Sequence, residues 1–370
     1  MKKFLTIIIF VMLSSVSFAE EIKTEWKWEK AYNSVVLVSG ENVAVNIIEN
    51  PFNPDNQNPN EGPHDAPKKK QTPETLNPKI IPYGMGTGFF INKIHVVTNY
   101  HVIKEFNKLT LYVYNHPYEI TDVEIIGYDE EIDIAVLQVN EKDISSNYLE
   151  FADEYPLIGD DVYAIWHGMS QVWSLTKGII SYDYRRNPSS SFIHYIQTDA
   201  VINSGNSGGP LLNENSEVVG VNTLIMSGDK FYVGYGYVIP RLLVERVATQ
   251  IIETGEHVKP SIGIKMSITE DRELYEKLKA EGLGHYLEIQ EVIVGSAAEQ
   301  YGLKKGDIIM SIDGTDIQVL PQVIEFLWTK NPGDEIVFKI YRKNGKEKFV
   351  NVPVILGTLK KKEPIPLTGK

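Results

Sequence analysis

One serine in this chain has the surroundings that nucleophilic chemistry requires. Gly205, Asn206, Ser207, Gly208 and Gly209 set it among glycines, which lets the backbone turn tightly and bring consecutive N–H groups into one pocket. A serine hydroxyl attacks a carbonyl when a base takes its proton and when donors receive the charge that develops on oxygen. The glycine loop supplies donors. A base and an acid to orient it stand upstream: His101, in Thr98-Asn99-Tyr100-His101-Val102, and Asp133, in Ile132-Asp133-Ile134-Ala135-Val136-Leu137. In the chemistry these three types perform together, His101 removes the Ser207 proton and later protonates the leaving group. Asp133 fixes the imidazole tautomer and stabilises its charged form.

Each residue alone has an ordinary reading. A histidine at a strand end is usually structural, Asp133 fits a turn or a cap, and a Gly-rich loop fits a plain turn. The string G-x-S-x-G also fits the nucleophile elbow of α/β-hydrolases. In that order the acid and histidine follow the serine, yet only His257 and His285 follow Ser207, and both fall beyond a domain boundary at Gly255. The segment after Ser207 runs through Pro210 into a β-patterned stretch, where an elbow needs a helix. The order His, Asp, Ser is that of the chymotrypsin-like fold.

The elements that must position these residues are short. Apolar runs at Ser34–Val38, Thr87–Ile91, His95–Thr98, Leu109–Tyr114, Val123–Tyr128, Ile134–Val139, Val162–Trp166, Gly178–Tyr182 and Glu217–Val221 are separated by turn residues, which predicts an antiparallel sandwich or barrel. A helix at Arg241–Glu253 closes this domain before Gly255. From Asn50 to Pro82 the chain is crowded with Pro and Asn, interrupted by Lys68, Lys69 and Lys70; it is expected as a long mobile loop inserted within the domain. Beyond Gly255 the pattern becomes mixed. Strands are expected at Tyr286–Val294, Ile308–Ile312, Glu335–Arg342 and Glu347–Val354, and helices at Asp271–Glu281 and Leu320–Thr329, as in a small α+β domain.

Composition bounds the rest. With 370 residues, 42% hydrophobic and 23% charged, the chain can bury a core and exceeds most single domains. Met1-Lys2-Lys3, the apolar stretch Phe4–Leu13 and the small residues Ser17 and Ala19 read as a signal peptide cleaved after Ala19. An extracytoplasmic, periplasmic or envelope location follows, with no stable membrane span unless the signal is retained. Cysteine is absent, so disulfides, thiol nucleophiles and cysteine metal clusters are excluded, and stability must come from packing. Cleavage would remove Lys2 and Lys3 and take the net charge from -13 to -15, which argues against a basic nucleic-acid surface. No H-e-x-x-H spacing or other metal motif is present, and no cofactor is expected.

The sequence resembles the HtrA/Deg family of trypsin-like proteases. The matches are Gly86-Thr87-Gly88-Phe89, Thr98-Asn99-Tyr100-His101-Val102, Asp133-Ile134-Ala135-Val136-Leu137, and Gln197-Thr198-Asp199-Ala200 through Gly205-Asn206-Ser207-Gly208-Gly209-Pro210, with Gly220-Val221-Asn222-Thr223 and Gly236-Tyr237-Val238-Ile239-Pro240 continuing them. Gly302-Leu303-Lys304-Lys305-Gly306-Asp307-Ile308-Ile309 and Ile312-Asp313-Gly314 resemble the signature of the family's PDZ domains. The resemblance implies an all-β double-barrel trypsin-like protease domain over residues 20–255 after a signal at 1–19, a small α+β PDZ domain over 256–358, and a disordered tail at 359–370. A single PDZ domain is expected.

The same resemblance implies roles. The oxyanion hole is expected from the N–H groups of Gly205, Asn206 and Ser207, and the S1 pocket from Ile202, Ile225 and Val238, whose ordinary alternative is barrel core. Ser261-Ile262-Gly263-Ile264 looks like the loop that binds a peptide's terminal carboxylate while the peptide adds a strand, with Val323 and Leu327 lining its side-chain pocket. The loop Tyr182–Phe192 takes the place of a sensor loop, with Arg185 as relay. At Trp166-His167-Gly168 the sequence departs from the usual Gly-Asn-Pro turn, and His167 is expected as a solvated loop histidine. The implied function is ATP-independent endoproteolysis of unfolded or damaged envelope proteins by a homotrimer or higher multiple, with Trp26 and Trp28 as interface aromatics. The competing class is a non-catalytic PDZ adaptor or chaperone assembly.

Overall fold

The computed structural model describes residues 27–41, 86–114, 116, 119–140, 147–168, 171–186, 192–225, 234–284, 286–343 and 348–359. The expected signal peptide, the Pro/Asn-rich insert and the residues after 359 lie outside them, as do Trp26 and His285. A one-and-a-half-turn helix α1 (Glu29–Ser34) leads into β1 (Val35–Glu41), followed by β2 (Gly86–Phe90) and β3 (His95–Thr98). After the single-turn α2 (Tyr100–Ile103) come β4 (Lys108–Val113), β5 (Val123–Asp129) and β6 (Ile134–Val139). These six strands form one antiparallel sheet in the order β4-β1-β2-β3-β6-β5. Its central members carry side chains buried on both faces: all of Gly86–Phe90 is buried, and β6 exposes only part of Gln138. Val and Ile dominate β6 because branched side chains pack well on a pleated surface covered on each side.

The second set is β7 (Asp161–Gly168), β8 (Gln171–Arg186), β9 (His194–Thr198), β10 (Pro210–Leu212), β11 (Val218–Ile225) and β12 (Gly236–Pro240). These strands close into a barrel in the order β10-β11-β12-β9-β8-β7. The barrel's last strand runs straight into α3 (Arg241–Thr254), which ends at Gly255 with φ 83°, the left-handed cap glycine adopts most easily. Leu243, Val244, Val247, Ala248 and Ile251 form the buried stripe of α3, at the spacing of one helix face.

The remaining residues form a second domain: β13 (Pro260–Ser261), β14 (Ile264–Ile268), α4 (Arg272–Ala280), β15 (Leu287–Val292), α5 (Ala297–Gln300), β16 (Asp307–Ile312), β17 (Thr315–Asp316), α6 (Leu320–Trp328), β18 (Glu335–Arg342), β19 (Phe349–Ile355) and β20 (Gly357–Thr358). The sheet order β14-β15-β16-β18-β19 leaves β14 at an edge. Asp271 starts α4 as an N-cap, accepting from Leu274 N–H at 3.0 Å, as a short acidic side chain at that position does.

The two domains share a core. One continuous apolar cluster includes Phe192, Ile193, Val244 and Ile251 from the first domain and Ile262, Leu327, Trp328 and Phe338 from the second. Polar contacts reinforce it. Arg246 reaches the Lys330 carbonyl at 2.8 Å and the Asn331 side chain, and His257 and Lys259 close on Asp129 at 2.8 and 2.9 Å. Trp28 is 9% exposed and packs on Tyr163 with ring centroids 4.6 Å apart. It is therefore packed into the core of its own chain.

Candidate active site

The acid sits where β6 begins. Asp133 has φ 65°, a left-handed conformation that aspartate tolerates better than most side chains, and its N–H is held by the Asp129 carbonyl at 2.9 Å. This turn aims the Asp133 carboxylate at α2. There His101 N–H meets Oδ1 at 2.9 Å and His101 Nδ1 meets Oδ2 at 2.7 Å. Asn99 at the N-cap position fixes the helix start by donating from Nδ2 to the Asp133 carbonyl at 2.8 Å. The network assigns the proton to Nδ1 of His101, leaving the Nε2 lone pair free to act as a base.

Thr223 joins the acid to the nucleophile. Its hydroxyl donates to Asp133 Oδ2 at 2.7 Å, and its carbonyl accepts from Ser207 Oγ at 3.2 Å. The sequence placed Thr223 within a matching motif but assigned it no role, because its partners lie 90 and 16 positions away. The Ser207 hydroxyl therefore faces β11 and donates to Thr223 rather than to His101. Hydrogen bonds between a nucleophile and its base often tighten only when substrate binds.

The glycine loop is held by alternate groups. Asn206 N–H donates to the Asn203 carbonyl at 3.0 Å, Gly208 N–H to Asn222 at 2.9 Å and Gly209 N–H to Asn206 at 2.9 Å. Among the described residues, Gly205 N–H and Ser207 N–H donate to no backbone carbonyl. Of the three donors expected for an oxyanion hole, Gly205 and Ser207 are thus free and Asn206 is occupied. Glycine is obligatory at 208, where φ is 84° and an added Cβ would lie 2.2 Å from the Thr87 carbonyl oxygen.

Other expected residues fall as follows. Ile202 and Val238 are buried together in the barrel with Ala152, Val162 and Ile196, and the side chain of Ile225 lies outside the described residues. Arg185 belongs to β8 rather than to a loop; its Nε donates to Gln197 Oε1 at 2.7 Å and its guanidinium covers Tyr182. His167 is fully buried, contrary to the solvated loop histidine expected. Burial pushes its pKa down to about 3, against a hydrogen bond to the Val36 backbone that acts in the opposite direction, and its Nδ1 accepts from Trp173 N–H at 3.0 Å. The imidazole is a neutral internal brace for the β7–β8 turn. In the second domain Gly263 has φ 84°, and an added Cβ would meet Ser296 Cβ at 2.1 Å. Ile262 is buried, and Ile264 opens the edge strand β14. Among the described residues no group of three acidic or histidine side chains is placed to hold a metal.

A family model for a trypsin-like peptidase domain matches residues 86–221, and one for a PDZ domain matches residues 260–354. A probable periplasmic serine endoprotease, DegP-like, of Chlamydia muridarum is 36% identical over 272 residues, covering 73% of this chain and 53% of that protein. The periplasmic pH-dependent serine endoprotease DegQ of Escherichia coli is 34% identical over 279 residues, covering 74% of this chain and 60% of that one. The chain thus spans a little over half the length of these curated relatives. The solved structure of the HtrA-type protease AlgW with a tripeptide superposes with a TM-score of 0.63 at 26% identity, covering 77% of this chain and 91% of that one. With both domains matched in order and the same architecture in a solved relative, the chain belongs to the HtrA family, a trypsin-like peptidase domain followed by a PDZ domain.

Proposed function

We propose that this chain is a serine endopeptidase that acts outside the cytoplasm on unfolded or damaged proteins without ATP. One observation carries the reading: the Asp133 carboxylate holds His101 by Nδ1 at 2.7 Å, and Thr223 ties that carboxylate to the carbonyl that receives Ser207 Oγ. In the reaction Ser207 Oγ turns to His101 Nε2, gives up its proton and attacks the scissile carbonyl. Gly205 N–H and Ser207 N–H receive the oxyanion, and the imidazolium, stabilised by Asp133, protonates the departing amine. Water then repeats the sequence on the acyl-enzyme, with His101 again as base.

By the family resemblance the S1 pocket takes its aliphatic wall, without a counter-charge, from the region of Ile202, Val238 and Ile225, which suits medium aliphatic P1 side chains. The loop Ile262-Gly263-Ile264 and the open edge of β14 receive a peptide's C-terminus by strand addition. The location rests on the relatives' names, which describe periplasmic enzymes, and assembly as a trimer or higher multiple rests on the family resemblance. The test is covalent labelling of the purified protein by a fluorophosphonate, alongside casein cleavage. Ser207→Ala is expected to lose both. A folded wild-type protein that takes up no label and cleaves nothing would instead be a binding adaptor.

A further inference from the structure

Thr87 lies in β2, in the six-stranded sheet, yet it grips the glycine loop of the barrel at two points. Its N–H donates to the Ser207 carbonyl at 2.9 Å and its hydroxyl donates to the Gly205 carbonyl at 2.6 Å. Gly205 and Ser207 are also the two residues of the loop whose own N–H groups are free. A hydroxyl has a single proton, and its direction is set by what else the oxygen binds. Here the oxygen accepts from His167 N–H at 3.2 Å, so the proton is directed to Gly205.

The pairing of β7 with β8 slips between Trp166 and Gly168, where Val172 and Trp173 of β8 stand opposite the single His167; at this break in the ladder His167 N–H turns to Thr87 Oγ1. The bulge is braced by the buried His167 ring, which receives Trp173 N–H. Thr87 is fully buried, and its own carbonyl is fixed by Thr98 Oγ1 at 2.7 Å.

The peptide between Gly205 and Asn206 is pinned from both sides, its carbonyl by Thr87 Oγ1 and its N–H by the Asn203 carbonyl. Gly205 has φ 106°, in the region only glycine enters easily, and glycine backbones reorient readily when a restraint is lifted. We infer that Thr87 is a positioning residue: its hydroxyl, oriented by the His167 N–H, holds Gly205 so that Gly205 N–H and Ser207 N–H are presented together to the developing oxyanion. The inference rests on the endopeptidase reading above. Thr87 touches neither substrate nor the reacting atoms; it acts through the loop.

The experiment compares Thr87→Val, which keeps the shape and removes the hydroxyl, with Thr87→Ser, which keeps the hydroxyl and removes the methyl, in the full chain with a chromogenic peptide. Thr87→Val is expected to lower kcat by about 10- to 100-fold, short of the roughly 100- to 1000-fold cost of deleting an oxyanion donor outright. KM and the pH profile should stay near wild type, because the triad and the pocket are untouched. Thr87→Ser should recover kcat to within about threefold. Equal impairment of Val and Ser variants would assign the effect to methyl packing against Gly209 and overturn the inference, as would a folded Val variant with wild-type kcat. If Thr87→Val does not fold, Thr87→Cys takes its place, keeping the size of serine with a weak donor, and the same kcat criterion applies. Ser207→Ala run in parallel separates the two readings: cleavage surviving in that variant overturns the endopeptidase assignment itself.

Discussion

Trp328 in the second domain donates its indole N–H to the Phe192 carbonyl of the first at 2.9 Å, with both side chains buried. His194 stacks on the same indole, ring centroids 4.6 Å apart, and brings Nε2 to 3.5 Å from Glu325 Oε1 on α6. The helix that borders the expected peptide groove is thus seated on the strand that leads into the glycine-loop region. A Trp328→Ala change removes an indole that is 1% exposed and should cost about 3–5 kcal/mol. The wild type is expected to unfold in one transition by calorimetry, and the variant in two, with the second domain melting first. A single transition in both would mean that other contacts dominate the coupling.

The triad should behave as one unit. Ser207→Ala and His101→Ala are each expected to lower kcat by at least about a thousandfold, and the double variant should be little worse than either single one. Steady-state cleavage of a peptide substrate checks this, and multiplicative losses would show that the two residues act separately.

Asp129 makes a pH prediction. Burial alone would raise its carboxyl pKa, but the His257 hydrogen bond and the Lys259 ammonium outweigh burial and hold it down to about 2, from 3.8. A depressed carboxylate contributes stability that is present above its unfolded pKa and lost as pH falls through the folded one. The contribution is about 2 kcal/mol at neutral pH. Urea unfolding at several pH values should show the wild type losing this amount between pH about 4 and about 2, relative to Asp129→Asn. A constant difference across that window would remove Asp129 as the titrating group.

Cleavage sites should fall after Val, Ile, Ala and similar residues of flexible chains. An aliphatic S1 wall of the kind proposed discriminates by only about 1–3 kcal/mol per methylene, so the preference should be broad. Mass spectrometry of casein fragments reads it directly, and a majority of cuts after Lys or Arg would contradict it.

The sequence made the chain order of the site legible because each member sits in a short, patterned run. Asp133 is flanked by Ile132 and Ile134, both fully buried, so a polar residue there had to have partners. The strand Ile134–Val139 was bounded correctly for the same reason, its side chains being covered on both faces. His101 was read at a strand end, whereas it sits on a four-residue helix too short to leave a periodic trace. His167 looks solvated in the sequence because a histidine beside a glycine at a strand end shows its burial only through its tertiary neighbours. Arg185 was placed in a loop because strand β8, sixteen residues long with irregular pairing to β9, is not built from alternating residues. Thr223 and Thr87 escaped notice since a threonine in a strand needs no explanation, and their roles depend on groups across the barrel interface.

The shared core has a consequence for how this protein is inherited and engineered. Phe192 and Ile193 beside β9 and Val244 and Ile251 on α3 belong to the same apolar cluster as Leu327, Trp328 and Phe338 of the second domain. A chain cut after Gly255 would present its share of that cluster to water, an exposed patch of the kind that drives aggregation. Exchange of the second domain between relatives would therefore transplant cleanly only if the β8–β9 hairpin and the outer face of α3 travelled with it. The unit of recombination in this chain is the interface, and a graft designed at the linker alone would join two halves that do not fit.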